Sequence, residues 1–221
     1  MSATETLQDQ LDAITSNTRR LVPADRLIVP EQAVAELFNS GIEQRILAPG
    51  ALAPAFSLTG ADGKLVRSAD LLALGPVILS FFRGRWCPYC MTELETWRDL
   101  YPSLRERNAL FVAVSPQTQR QNDFTVQQHG LPFAVLTDHT SQLAEQFGVA
   151  YTVPDYHRLH YRSIMVNVPF VNGEDTWRLP IPAVFVIAPD GRIAFSQGFA
   201  DFRVRPEPAD VLAALHTTAR V

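Results

Sequence analysis

Pro76-Val77-Ile78-Leu79-Ser80-Phe81-Phe82, Arg83-Gly84-Arg85 and Trp86-Cys87-Pro88-Tyr89-Cys90, followed by Met91 to Leu100, decide how this chain folds. The first seven residues are a short apolar run, the pattern of a strand buried on both faces. The last ten, Met91-Thr92-Glu93-Leu94-Glu95-Thr96-Trp97-Arg98-Asp99-Leu100, read as a helix. Between them stand both cysteines of the chain, three positions apart. Pro88 fits the first turn of the helix, where a missing N–H costs nothing. Cys87 then falls near the N-cap and Cys90 near the third helical position. A thiol at a helix N-terminus faces unpaired backbone N–H groups and the positive end of the dipole, and both favour its thiolate. Arg83 and Arg85 add positive charge. Cys90 lies on the inner side, within disulfide reach. From the residues alone, Cys87 is the better nucleophile and Cys90 the resolving thiol.

Working outward, Ala109 to Ser115 is an almost wholly apolar strand, followed by a polar helix from about Thr118 to His129 closed by Gly130. Phe133 to Leu136 reads as a short strand, and Ser141 to Phe147 as a helix stopped by Gly148. On the other side, Pro49 to Pro54 opens the domain. Ala55 to Thr59 and Lys64 to Val66 read as two strands around the turn Gly60-Ala61-Asp62-Gly63. Ala183 to Ile187 and Arg192 to Phe195 form a hairpin around Ala188-Pro189-Asp190-Gly191, and a last helix runs from about Pro208 to His216. Buried strands alternating with helices predict an α/β fold with parallel pairing. Residues 48–221 form this domain, and residues 1–47 are a helical N-terminal extension. Leu7, Leu11 and Ile14 give a helix from about Thr4 to Arg19. A second helix is expected from Glu31 through Phe38, after Pro23 and Pro30. The extension is expected to pack on the domain or on another subunit. Residues 151–180, rich in aromatics, prolines and Asn/Gly, read as a long irregular insertion, a candidate lid or homodimer surface.

A net charge of −4 without a Lys/Arg block argues against nucleic acid or an anionic membrane as the main partner. The first ten residues lack the basic start and apolar core of a signal peptide, and no stretch is apolar enough to span a bilayer. A cytoplasmic location is the expectation, and there a CxxC is redox-active or metal-binding. The metal reading would join Cys87 and Cys90 to His157 and His160, whose spacing is near that of a zinc ligand pair.

From about Ala48 onward the chain resembles the alkyl hydroperoxide reductase/thiol-specific antioxidant family, the peroxiredoxins. Gly50-x-x-Ala53-Pro54-x-Phe56, Phe81-Phe82-Arg83-Gly84, Val114-Ser115, Leu136-Thr137-Asp138 with Ala144-x-x-Phe147-Gly148-Val149, and Ala183 to Gly191 follow that family's motifs in order and spacing. The resemblance implies a thioredoxin-like, peroxiredoxin-type fold, with a central mixed β-sheet flanked by helices. It implies a thiol-dependent peroxidase for hydrogen peroxide or alkyl hydroperoxides, needing no metal or organic cofactor. Its reductant would be a thioredoxin-like dithiol or the glutathione/glutaredoxin system.

The same register moves the chemistry. In it Cys90 takes the place of the peroxide-reactive cysteine and Cys87 that of a threonine, while Glu93 follows the family's Glu. The family's strand arginine falls on Pro182, where thioredoxin-like folds instead carry a cis-proline against the CxxC; Pro180 is the other candidate. Without that arginine and the threonine, attack on peroxide should be slower unless Arg83 or Arg85 substitutes, with Arg85 the better placed in the loop. Trp86 completes the supporting set. The Cys-Pro-Tyr-Cys tetrad also suits a general thiol–disulfide oxidoreductase with Cys87 as nucleophile. A non-catalytic binding module is the remaining alternative.

Overall fold

The structure is a computed structural model and describes residues 5–218. Two helices, α1 (Leu7–Leu21) and α2 (Ala24–Asn39), precede a hairpin of β1 (Ser57–Gly60) and β2 (Leu65–Arg67), and then the short α3 (Ser68–Leu72). The alternating core follows: β3 (Val77–Phe81), α4 (Pro88–Glu106), β4 (Leu110–Ser115), α5 (Gln119–His129), β5 (Ala134–Thr137) and α6 (Gln142–Gln146). Next come β6 (Ala150–Thr152), α7 (Asp155–Ser163), α8 (Val168–Asn172) and β7 (Arg178–Pro180). The hairpin β8 (Ala183–Ile187) and β9 (Ile193–Gly198) and the helix α9 (Pro208–Thr218) end the fold.

Seven strands form one mixed sheet in the order β2-β1-β5-β4-β3-β8-β9. The inner strands β5, β4 and β3 are parallel, and β8 runs antiparallel to β3, with Phe81 opposite Ala183. Both faces of β3 are covered, which is why its sequence is a continuous apolar run. Ile78 and Phe82 point to the face packed by α1, α4 and α9, whereas Val77, Leu79 and Phe81 point to the other, against Phe147 and Phe185. Ser80 shares the α4 face, and its hydroxyl donates to the Glu93 carboxylate at 3.1 Å. The strand thus places α4 and its cysteines at the carboxyl edge of the sheet, where open α/β folds carry their sites.

The extension packs on the domain itself. Leu7 and Leu11 are buried in the core that also holds Cys87, Cys90 and Leu94. At about 2 kcal/mol per buried Leu side chain, this pair alone fixes α1 to α4. A capping box between Thr6 and Asp9 starts α1, two residues after the expected Thr4, which lies outside the described residues together with the first three. α2 begins seven residues earlier than the Glu31 expected from sequence, with Pro23 as its N-cap and Pro30 inside the helix. The helix runs through Pro30 in spite of the backbone bond a proline removes, and Pro30 lines the cleft beside Cys87.

The segment from 151 to 180 is more regular than its composition suggests. Its two helices and the two-stranded β6–β7 sheet enclose a core of Val153, Tyr161, Val168, Trp177 and Leu179. The inward face of α7 is His157 and Tyr161, while Leu159 is exposed, so aliphatic periodicity does not reveal the helix. No peptide bond among the described residues is cis, which corrects the cis-proline expected at Pro182 or Pro180. The paired β6–β7 strands explain it: Pro180 lies opposite Ala150, and the Ile181 N–H donates to the Val149 carbonyl at 2.8 Å. The chain therefore enters β8 extended. Among these residues no helix is long and apolar enough to cross a membrane.

Candidate active site

Cys87 is the N-cap of α4 and Pro88 its first residue, as the sequence requires. The turn that delivers them is tight. A Cβ on Gly84 would stand 2.5 Å from the Trp86 indole nitrogen, so only glycine lets that ring fold back over the loop. Both cysteines are free thiols and both are buried. The Cys90 thiol donates to the Cys87 sulfur at 2.9 Å. Cys87 lines a cleft of about 130 Å³ between α4, α7 and the 199–207 segment; Cys90 lies behind it.

Two buried arginines divide the pair between them. Arg83 holds Nη1 at 4.0 Å from the Cys87 sulfur and donates through Nη2 to the Tyr161 hydroxyl. Its guanidinium stands 4.4 Å from the Phe202 ring centre and 4.8 Å from that of Trp86, an aromatic box that offsets part of the cost of burying a cation. Arg205 reaches Cys90 with Nη2 at 3.3 Å and pairs through Nε with the fully buried Glu93 carboxylate. Burial raises the Cys87 pKa, but the hydrogen bond from Cys90 and the charges of Arg83 and Arg205 outweigh it, bringing the thiol down to about 6. Cys90 is pushed well up by its own burial, by the proton it donates to Cys87 and by the neighbouring thiolate charge. The two shifts run in opposite directions, with the lower pKa at Cys87, the order that the helix-cap reading expects and the reverse of the family register.

The other expected residues separate. Glu93 and Trp86 join the site. Arg85 leaves it: its guanidinium faces Phe124 on α5, and its backbone N–H bonds Gln117. Pro182 lines an adjoining pocket with Arg83 and does not line the Cys87 cleft. His157 and His160 line the cleft, with ring centres 5.9 Å apart. Among the described residues no group of three or more His, Cys, Asp or Glu is disposed to hold a metal, so the zinc reading has no site. Arg205 is the residue that sequence reasoning missed, because it sits in a loop 115 positions from Cys90 with no motif to mark it.

A pair of free cysteines three residues apart at a helix start on this sheet defines the thioredoxin-like dithiol proteins as a class. A model of the AhpC/TSA family matches residues 49–196, and the chain belongs to that family. It is 34% identical over 100 residues to peroxiredoxin Bcp of Bacillus subtilis, covering 45% of this chain and 63% of that one. It is 33% identical over 101 residues to the thiol-disulfide oxidoreductase ResA of Bacillus thuringiensis, covering 45% and 57%. The chain thus spans about three-fifths of the length of these curated relatives. Among solved structures, peroxidoxin BcpB of Mycobacterium tuberculosis superposes with a TM-score of 0.61 at 22% identity, covering 77% of this chain and 97% of that one, which establishes the shared fold.

Proposed function

We propose that the protein is a thiol-dependent peroxidase working through a Cys87/Cys90 dithiol–disulfide cycle. The observation that carries this is the polarised pair, a low-pKa Cys87 at a cleft with the protonated Cys90 thiol 2.9 Å behind it. The Cys87 thiolate attacks one oxygen of ROOH. An S–O bond forms, the O–O bond breaks, and RO⁻ leaves and takes up a proton. Arg83, the nearest cation, stabilises the charge passing from sulfur to the leaving oxygen. Cys90 then attacks the Cys87 sulfenic acid, closing the disulfide and releasing water. An external dithiol of thioredoxin type, or the glutathione system, returns two electrons and two protons. Hydrogen peroxide or an alkyl hydroperoxide is the oxidant. The resemblance to Bcp supports this reading, and the cytoplasm supplies both substrate and reductant. Exposed Met165 and Phe170 on the 151–180 segment offer a surface for a homodimer, which sedimentation would reveal.

The resemblance to ResA favours a second reading, exchange with protein or small-molecule disulfides by the same Cys87 thiolate. Steady-state consumption of hydrogen peroxide and of a model disulfide, each driven by a dithiol, separates the two. Peroxide turnover far above that of a free thiol supports the peroxidase; disulfide exchange without peroxide turnover overturns it in favour of the second reading.

A further inference from the structure

Beside the Cys87 cleft, and sharing Arg83, His157 and Phe202 with it, lies a second pocket between α2 and α7. Its walls are mostly apolar, with Val34 and Leu37 from the extension and Ile181 and Pro182 from the link between β7 and β8. Arg83, 3% exposed, is the cation where the two pockets meet. Among the described residues no carboxylate pairs with it, and its Nε has no hydrogen-bond partner. The buried Nδ1 of His157 is also unpartnered. Arg83 and His157 line this pocket, and their two buried, unpartnered nitrogens would cost several kcal/mol if nothing answered them. The acidic residue on the wall, Glu36, sits at the exposed rim and is held by Tyr156 and Gln32.

Arg83 has one anionic partner, the Cys87 thiolate, and loses it whenever Cys87 is in the disulfide. We propose that this second pocket binds an organic monocarboxylate, its apolar chain among Val34, Leu37 and Ile181 and its carboxylate on Arg83, and that it does so once the Cys87 sulfur carries no negative charge. A single guanidinium matches one carboxylate through a two-point contact, whereas a dianion would need a second cation that the walls lack. The ligand would then mark the oxidised state and compete with peroxide for Arg83 until the disulfide is reduced. The proposal rests on the dithiol cycle of the preceding reading, though not on peroxide as its oxidant.

The test is calorimetric titration at pH 8 with octanoate, and with octanol as its uncharged counterpart. The proteins are reduced wild type, the disulfide form prepared with diamide, and Cys87→Ala, which removes the thiolate without any oxidation. Octanoate should bind the disulfide form and Cys87→Ala at least tenfold more tightly than reduced wild type, and octanol should show no such preference. Val34→Trp, which fills the apolar end, should abolish octanoate binding while its circular dichroism and unfolding midpoint report a folded chain. Equal octanoate affinity in all three forms, octanol binding that follows the same pattern, or undiminished binding by folded Val34→Trp would overturn the proposal. Because the titration of Cys87→Ala involves no peroxide, its binding result stands whether or not the wild type proves to be a peroxidase.

Discussion

At the scale of single residues, the site depends on which charge faces which sulfur. Arg83 sits against Cys87, and its aromatic box keeps water from screening the pair. With a pKa near 6, Cys87 is mostly thiolate at pH 7, whereas an ordinary thiol is only a few per cent ionised. Arg83→Met should move the rise of iodoacetamide alkylation from around pH 6 toward the ordinary cysteine range and slow alkylation at pH 7 by about tenfold, since a rise of the pKa to about 8 takes the thiolate fraction there from about nine-tenths to about one-tenth. The pH profile of alkylation, followed by mass spectrometry, reads this directly. Glu93 and Arg205 behave differently, as a fully buried ion pair in which each needs the other. Glu93→Gln or Arg205→Met alone should cost roughly 3–5 kcal/mol in denaturant unfolding, because one charge is left buried and unpaired. The double variant should recover most of that loss, and a double variant that merely adds the two losses would show that the pair is not coupled.

At the scale of elements, what could be read from sequence depended on whether apolar periodicity marked the buried face. In β3 and α4 it did: the continuous run gives the doubly buried strand, and Leu94 and Trp97 give the inward stripe that follows Cys90. In α7 it did not, because His157 and Tyr161 are its inward residues and a histidine scores as polar wherever it points. The start of α2 was hidden by Pro30, which reads as a boundary unless tertiary contact is known to cover it. Arg205 was hidden for a third reason: nothing local distinguishes a loop arginine that folds inward from one in water. The buried histidine has a measurable consequence. Burial first, and then the charges of Arg83 and His160, bring His157 down to about 4, below the 6.5 of an unfolded chain. As pH falls through 6.5 the unfolded chain takes up the proton first, so this contribution is complete above 6.5 and is lost as pH approaches 4. His157→Phe should keep the stacking on Tyr161, which now spans 4.5 Å between ring centres, and flatten the fall of unfolding free energy over that range. Denaturant midpoints at several pH values would reveal it; an unchanged slope would place His157 outside this effect.

At the scale of the whole molecule, the N-terminal extension helps to build the candidate site. α1 shares a core with the cysteines, α2 walls both pockets, and the 199–207 segment ties the two helices to Arg205. Within that segment Arg203 pairs with Glu31 at 2.6 Å, and the Glu207 carboxylate accepts from the Gln8 N–H at 2.8 Å. Gly148 closes the other side: a Cβ there would fall 1.9 Å from the Arg45 carbonyl, so the end of the extension lies directly against the turn after α6. Leu11→Ala should therefore cost about 2–5 kcal/mol in global unfolding, as a core leucine does, and not the few tenths expected of an appended helix. Chemical denaturation followed by tryptophan fluorescence distinguishes these.

In the proposed cycle Cys87 is the thiolate that reacts first and Cys90 the thiol that resolves it. The most direct measurement is stopped-flow oxidation of the reduced protein by one equivalent of hydrogen peroxide, with dimedone trapping and peptide mapping, in wild type, Cys87→Ser and Cys90→Ser. Fast oxidation in Cys90→Ser with the sulfenic acid trapped on Cys87, and its loss in Cys87→Ser, is the predicted result. Fast oxidation that survives in Cys87→Ser, with the adduct on Cys90, would contradict it and return the reactive role to the position that the family register assigns.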